Sequence, residues 1–280
     1  MSDLPKLSVI TPTLNQAQFI AATVESVLGQ GYPNLEYWVL DGGSTDGTAE
    51  LMQRFAGQLI FISEPDKGQV DAINKGLRLC SGEVVAYLNS DDVYEPGALL
   101  RVGEYFRQHP AARALTGKCR RIDAHGREIN SFITTYKNVW LRLNGFRALQ
   151  IQQYISQPAT FWKRDLLGEV GFFNPAYRYA FDYEYWLRIF KQTRIHYLDE
   201  YLAAFRVYGE SITGGTAYKH LAEEAEIARQ FASPAAYRVH TALNQLSAWI
   251  FRVVYRRGEK RVTAESSENT EETENRKGKE

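Results

Sequence analysis

The chain has 280 residues, 44% of them hydrophobic, with 33 Lys plus Arg against 33 Asp plus Glu. That apolar content supports a sizeable core and excludes a chain dominated by disorder, and a formal net charge of zero removes the electrostatic case for a nucleic-acid partner. Cys80 and Cys119 sit far apart with no CxxC or Cys/His spacing, the N-terminus carries no signal-like apolar region, and no run approaches the ~18 apolar residues of a membrane span. The expectation is a cytoplasmic protein with reduced thiols.

In chain order, Leu7 to Thr11 reads as a first strand, broken at Pro12-Thr13-Leu14-Asn15. Phe19, Ile20, Val24, Val27 and Leu28 recur at helical spacing before Gly29 and Gly31. Leu35 to Leu40 is a second apolar run, and it delivers Asp41 to its end, followed by Gly42-Gly43-Ser44-Thr45-Asp46-Gly47-Thr48. Thr45 or Asp46 can cap the next helix, which carries Leu51, Met52 and Phe55. Leu59 to Ile62 forms a third run, ending in Ser63-Glu64-Pro65-Asp66-Lys67-Gly68-Gln69, and Asp71 to Leu79 looks helical.

A fourth run, Val84 to Leu88, is continuous and apolar, as a strand buried on both faces should be, and it stops at Asn89-Ser90-Asp91-Asp92. Two adjacent carboxylates at the carboxyl edge of a sheet repel unless they are solvated, cap the helix after Pro96, or hold a cation, for which hard oxygen ligands suit Mg²⁺ or Mn²⁺. Both the capping turn and the cation site stay open on this tetrapeptide. Four strand–helix units predict an α/β fold with a mostly parallel, Rossmann-like sheet and right-handed crossovers. No GxGxxG follows the first strand and no GxxxxGK[ST] occurs, so the common dinucleotide and P-loop enzymes are excluded.

Pro96 to His109 reads as a helix, with Leu99, Leu100, Val102, Tyr105 and Phe106 apolar, and Ala112 to Cys119 as a strand. Arg120 to Ile155 is polar with scattered aromatics, which suits a strand pair and a loop region lining a second site. Ser156 to Arg164 reads as loop then strand, with Asp165 capping a short helix. Phe181, Tyr185, Trp186 and Ile189 fall at helical spacing around Asp182 and Glu184, so an amphipathic helix with Asp182 near its N-terminus is the plain structural reading. His196 to Val207 forms a last strand, leading to a glycine-rich, mobile loop at Tyr208 to Gly215. Helices then run to the mid-250s, with an apolar stripe (Leu243, Leu246, Trp249, Ile250, Val253) followed by arginines; such an end suits an anionic membrane surface, packing on its own domain, or a second subunit. Ala264 to Glu280 lacks large apolar residues and is expected to be disordered.

Taken together, Thr11-Pro12-Thr13-Leu14-Asn15, Asp41 to Thr48, Glu64-Pro65-Asp66-Lys67-Gly68-Gln69 with Asp71 to Gly76, Leu88-Asn89-Ser90-Asp91-Asp92 and Phe181-Asp182-Tyr183-Glu184-Tyr185-Trp186 resemble, in order, the motifs of the family-two nucleotide-sugar glycosyltransferases. These are inverting enzymes with the GT-A fold. The resemblance spans roughly Leu7 to Tyr208 and implies a glycosyltransferase domain over 1–215 (nucleotide half about 1–110, acceptor half about 111–215), C-terminal helices over 216–258 and a tail over 259–280.

It implies that Asp92 ligates a divalent metal, Mg²⁺ or Mn²⁺, bridging the donor diphosphate, and that Asp91 meets the ribose or assists at the metal. Asp41 would read the base, Pro12, Thr13 and Leu14 would wall the nucleotide, and Asp66 and Gly68 would lie beside it. Asp182 would deprotonate the acceptor hydroxyl, with Glu184 as the fallback base and Gln157, Glu184 and Trp186 as acceptor or sugar contacts. Two departures stand out: Asn89 replaces an acid, and Phe181 stands where the family often has Glu. An apolar neighbour there would raise the Asp182 pKa by desolvation. The implied donor is a nucleotide sugar, most simply a UDP-sugar, and the acceptor a saccharide or a lipid-linked hydroxyl in cell-surface polysaccharide synthesis. A nucleotidyltransferase lacks its basic glycine-rich cradle here, and a noncatalytic nucleotide-sugar binder would need only the first half of the chain.

Overall fold

The computed structural model describes residues 4–208 and 217–249. The first half is built of β1 (Leu7–Thr13), α1 (Ile20–Leu28), β2 (Leu35–Asp41), α2 (Thr48–Met52), β3 (Ile60–Ser63), α3 (Gln69–Leu79) and β4 (Val84–Tyr87). The second half adds β5 (Val93–Tyr94), α4 (Ala98–Gln108), β6 (Ala114–Ile122), α5 (Ser131–Arg142), α6 (Phe146–Ile151), β7 (Thr160–Lys163), α7 (Leu167–Val170), α8 (Phe181–Gln192) and β8 (Ile195–Arg206). Two further helices follow, α9 (Ala217–Phe231) and α10 over 234–249.

One eight-stranded sheet runs in the order β3-β2-β1-β4-β7-β6-β8-β5. The strands of the first half pair in parallel, with Thr13 opposite Asp41 and Asp41 opposite Ser63, so their polar ends line one edge. Beyond β4 the sheet turns mixed, with β7 antiparallel to both β4 and β6 and β5 antiparallel to β8. Side chains alternate between two cores: Val84, Ala86 and Leu88 enter one, Val85 and Tyr87 the other. This double burial is why β1, β2 and β4 are continuous apolar runs.

The expected strand pair between residues 120 and 155 is absent; two helices, α5 and α6, occupy that stretch. Asp165 does not cap α7 with its side chain but pairs with Arg113 at 3.2 Å. The two-residue strand β5 was not legible in the sequence, since a two-residue ladder leaves no period to read. The expected mobile loop lies outside the described residues from 209 onward, as does the expected disordered tail.

Candidate active site

The parallel edge gathers the ends of β1 to β4. Gly42 N–H donates to Thr13 O, and Asp41 accepts from the Ser44 N–H and hydroxyl and, at 2.6 Å, from the Ser63 hydroxyl. Asp41 is therefore buried, 2% exposed, and fully engaged by the turn that follows it. Asp66 lies against Gly42, where a Cβ would sit 2.9 Å from Asp66 Oδ2, so a larger residue at 42 would push the Asp66 carboxylate aside. Asp66 Oδ1 accepts from Gly68 N–H at 2.7 Å, and Gly68 starts α3 at φ +107°. Pro12, Thr13, Leu14, Asp41, Asp66 and Gly68 thus share one edge, with Leu14 exposed and Thr13 Oγ1 buried with no hydrogen-bond partner among the described residues.

The two adjacent acids after β4 differ sharply. Asp92 is fully buried; its Oδ1 accepts the Arg206 backbone N–H at 2.8 Å, and its Oδ2 faces Asn89 Nδ2 at 3.4 Å. Asp91 is partly exposed, and its Oδ2 accepts from the Tyr208 hydroxyl at 3.1 Å. Burial and the neighbouring Asp91 charge push Asp92 well above the ordinary carboxylate range, and burial raises Asp91 against the opposing Tyr208 bond and Arg206 charge. A raised pair is one that a cation would neutralise, and its oxygen donors are of the kind that hard divalent ions take. Among the described residues no group of three or more His, Cys, Asp or Glu is placed to hold a metal unaided. Asn89, standing where an acid was expected, accepts from Gln69 Nε2 at 2.6 Å and so ties α3 to this turn.

Asp182 sits in the first turn of α8, partly buried. Its Oδ1 accepts the Tyr183 N–H at 2.8 Å, and Gln153 Nε2 reaches Oδ2 at 3.5 Å. Burial pushes its carboxyl up to about 6, while the Tyr183 N–H and the Lys137 charge hold it from going higher. Lys137 comes from α5 and is itself depressed by burial and by Arg121. Glu224 of α9 is buried and pushed up to about 8, mainly by desolvation, and His220, 3.4 Å from it, down to about 4, so both are neutral at pH 7. Tyr87 feels both acidic centres, its hydroxyl being raised by burial first and then by the charges of Asp182 and Asp92.

The segment before α8 is held from outside. Glu223 of α9 accepts three consecutive backbone N–H groups, those of Arg178 (3.0 Å), Tyr179 (2.7 Å) and Ala180 (2.9 Å). Arg206, Tyr208, Gln153 and Glu223 were not singled out in the sequence. Arg206 Nε meets Asp91 O across 115 positions of chain, and contacts of that range leave no local pattern.

Three sequence candidates are placed elsewhere. Glu184 lies two residues beyond Asp182, about 200° around the helix, and forms a two-pronged pair with Arg188 at 2.7 and 2.8 Å while only 6% exposed. Trp186 is fully buried against Trp162, Phe173 and Tyr185, and offers no face to a sugar. Trp186→Ala is therefore expected to cost about 3–5 kcal/mol of stability, measured by denaturant unfolding, as for other large-to-small core changes. Gln157 is 7% exposed and donates to Tyr87 O at the end of β4, with its Oε1 unpartnered among the described residues.

Comparison with known proteins agrees with this arrangement. The model of the family described as glycosyl transferase family 2 matches residues 8–171. A PGL/p-HBAD biosynthesis glycosyltransferase of Mycobacterium tuberculosis is 28% identical over 212 residues, covering 73% of this chain and 78% of that one. Among solved structures, the S. aureus TarS 1-349 complex with UDP-GlcNAc superposes with a TM-score of 0.62 at 18% identity, covering 83% of this chain and 69% of that one. The mannosyltransferase PcManGT from Pyrobaculum calidifontis, in complex with GDP-Man and Mn²⁺, gives 0.63 at 20% identity over 92% of this chain and 80% of that one. Both structural likenesses establish the GT-A fold that the motifs implied. The chain belongs to glycosyl transferase family 2.

Proposed function

We propose that the protein moves a sugar from a nucleoside diphosphate donor to an acceptor hydroxyl with inversion, in the synthesis of a cell-surface glycan. The observation that carries this reading is that two acidic centres lie within electrostatic reach of one side chain, Tyr87: the Asp91–Asp92 carboxylates at the sheet edge, and Asp182 poised near pH 6 on α8. A general base works best with a pKa near the operating pH, and a desolvated carboxylate at about 6 meets that condition. Displacement at an anomeric carbon in a single step inverts it, with the base taking the hydroxyl proton on the face opposite the leaving diphosphate.

We assign a divalent cation to Asp91, because its carboxylate is partly exposed, whereas that of Asp92 is buried and spoken for by Arg206 and Asn89. This moves the metal assignment from Asp92 to Asp91. The cation, Mg²⁺ or Mn²⁺, would supply charge neutralisation at the leaving diphosphate. Thr13 and Leu14 flank the nucleotide, with the exposed Leu14 side chain nearest solvent. A UDP-sugar is the donor to try first, in line with the UDP-GlcNAc held by TarS, and the GDP-Man held by PcManGT makes a GDP-sugar its control. The acceptor class is a saccharide or a lipid-linked hydroxyl, and peripheral residence at the inner face of a membrane fits the latter. Among the described residues no helix is long and apolar enough to cross a bilayer.

The experiment is a panel of UDP-, GDP- and dTDP-sugars read by thermal shift with Mn²⁺, followed by transfer assays on the donor that stabilises. Absence of stabilisation by any nucleotide sugar would overturn the reading.

Glu223 bears on the same chemistry as a positioning residue. Its carboxylate fixes residues 178–180, so its loss lets the first turn of α8 and Asp182 shift, and misplacement of a catalytic group by about 1 Å can cost ~100-fold. Glu223→Ala is expected to lower kcat by about 10-fold or more with donor affinity unchanged. Water admitted to Asp182 should also move the acid limb of the pH–rate profile to lower pH, since desolvation is what raises that carboxyl. An unmoved limb with unchanged kcat would return Glu223 to a purely structural role.

A further inference from the structure

Helix α5 presents its apolar residues on the wrong side for a helix packed on a core. The residues it turns to the protein are Thr134 and Leu141, 3% and 1% exposed. Phe132, Tyr136, Val139 and, just past its end, Leu143 are 60%, 43%, 52% and 65% exposed. At about 100° per residue, these four form a single row along the ridge opposite Thr134 and Leu141. Surface helices ordinarily carry charged or polar residues there, and a row of large exposed apolar side chains marks an interaction site.

The chain that carries the row is basic, and the one acid among the described residues within electrostatic reach of its arginines is Asp199 of β8, which faces Arg142 but is itself paired with Lys118 at 2.6 Å. No acidic residue occurs between Glu128 and Asp165, while Lys137, Arg142 and Arg147 fall within that stretch, and Arg142 and Arg147 are exposed. The segment between Glu226 and Glu259 is likewise free of acids, and its helix α10 exposes Leu246 and Trp249, at 51% and 61%. The two acid-free segments meet: Gln150 Nε2 donates to Phe231 O at 2.7 Å, and His240 Nδ1 lies 3.1 Å from Ile151 O.

We propose that the outward ridge of α5 docks on an anionic lipid bilayer, the apolar row entering the headgroup boundary and the flanking arginines meeting lipid phosphates. Apolar burial plus attraction to anionic lipid is what holds interfacial helices. A second copy is disfavoured as the occupant because two faces bearing the same excess of arginine repel. The chain's own acidic end, Ala264 to Glu280, contains no large apolar residue with which to cover the row.

The test is co-sedimentation of the full chain with vesicles of 30 mol% phosphatidylglycerol in phosphatidylcholine, against pure phosphatidylcholine, at two salt concentrations. The wild type is expected to partition at least ten times more strongly onto the anionic vesicles and to be released by salt. The triple variant F132S/V139S/L143S should lose about ten-fold or more of that binding while keeping the wild-type melting temperature. A second variant, R142E, should lose binding to anionic vesicles alone. Unchanged binding of a folded triple variant, no preference of the wild type for anionic vesicles, or a vesicle-free dimer that the triple variant dissolves would each overturn the proposal. None of these readouts depends on transferase activity, so they stand whether or not the proposed reaction is right.

Discussion

Asp182→Asn is expected to cut turnover by at least ~100-fold while leaving nucleotide-sugar binding at the wild-type level, because a positioned general base contributes about that much to the rate and nothing to donor affinity. The substitution keeps the shape of the side chain and its acceptor oxygen toward the Tyr183 N–H, so the fold has no reason to change. Donor affinity by calorimetry and single-turnover transfer separate the two effects. The fallback base, Glu184, is committed to Arg188 and cannot rescue the variant; near-normal turnover in Asp182→Asn would remove Asp182 from the chemistry altogether.

The same carboxyl sets the pH dependence. With its pKa raised to about 6, Asp182 is ionised and able to accept a proton above that pH and blocked below it, so the rate should fall about tenfold per pH unit on the acid side. Lys137 works in the opposite direction to burial, stabilising the ionised form. Lys137→Met should therefore raise the pKa and shift the acid limb upward, whereas Glu223→Ala should shift it downward. Two substitutions displacing one limb in opposite senses would be hard to obtain from general destabilisation.

The first half of the chain was legible in the sequence because its strands are buried on both faces and end in polar residues that the parallel register brings to one edge, as with Thr13, Asp41 and Ser63. The stretch from 120 to 155 was misread for a physical reason. The apolar residues of α5 point outward, so Phe132, Tyr136 and Val139 read as scattered aromatics and aliphatics rather than as a core-facing stripe. At the candidate site, the motifs pointed to Asp91, Asp92 and Asp182 and put Asp92 ahead of Asp91 at the metal, an order that accessibility reverses. Ranking needs accessibility, and the burial of Asp92 depends on the Arg206 backbone, 114 positions away. Trp186 and Glu184 shared a short motif with Asp182, yet helical geometry sends them into the core and toward Arg188.

Chelation with EDTA is expected to silence transfer, and Asp91→Asn to reproduce that loss in the presence of excess Mn²⁺, because it removes the charged oxygen that the proposal gives to the cation. Asp92→Asn should behave differently. Its carboxyl is fully buried, pushed toward the neutral form, and bonded to the Arg206 N–H through Oδ1, an acceptor that the Asn carbonyl oxygen can replace. An amide of the same shape should leave the melting temperature close to wild type. Because Asp92 is already held toward its neutral form, an amide there leaves the charge at Asp91 nearly as it was, so Mn²⁺ affinity should fall far less in Asp92→Asn than in Asp91→Asn. Titrating Mn²⁺ against donor-dependent thermal stabilisation of the wild type and the two variants gives the ranking directly. If Asp92→Asn abolishes the metal dependence while Asp91→Asn retains it, the buried acid must turn outward on donor binding, and the assignment of the metal to Asp91 is wrong.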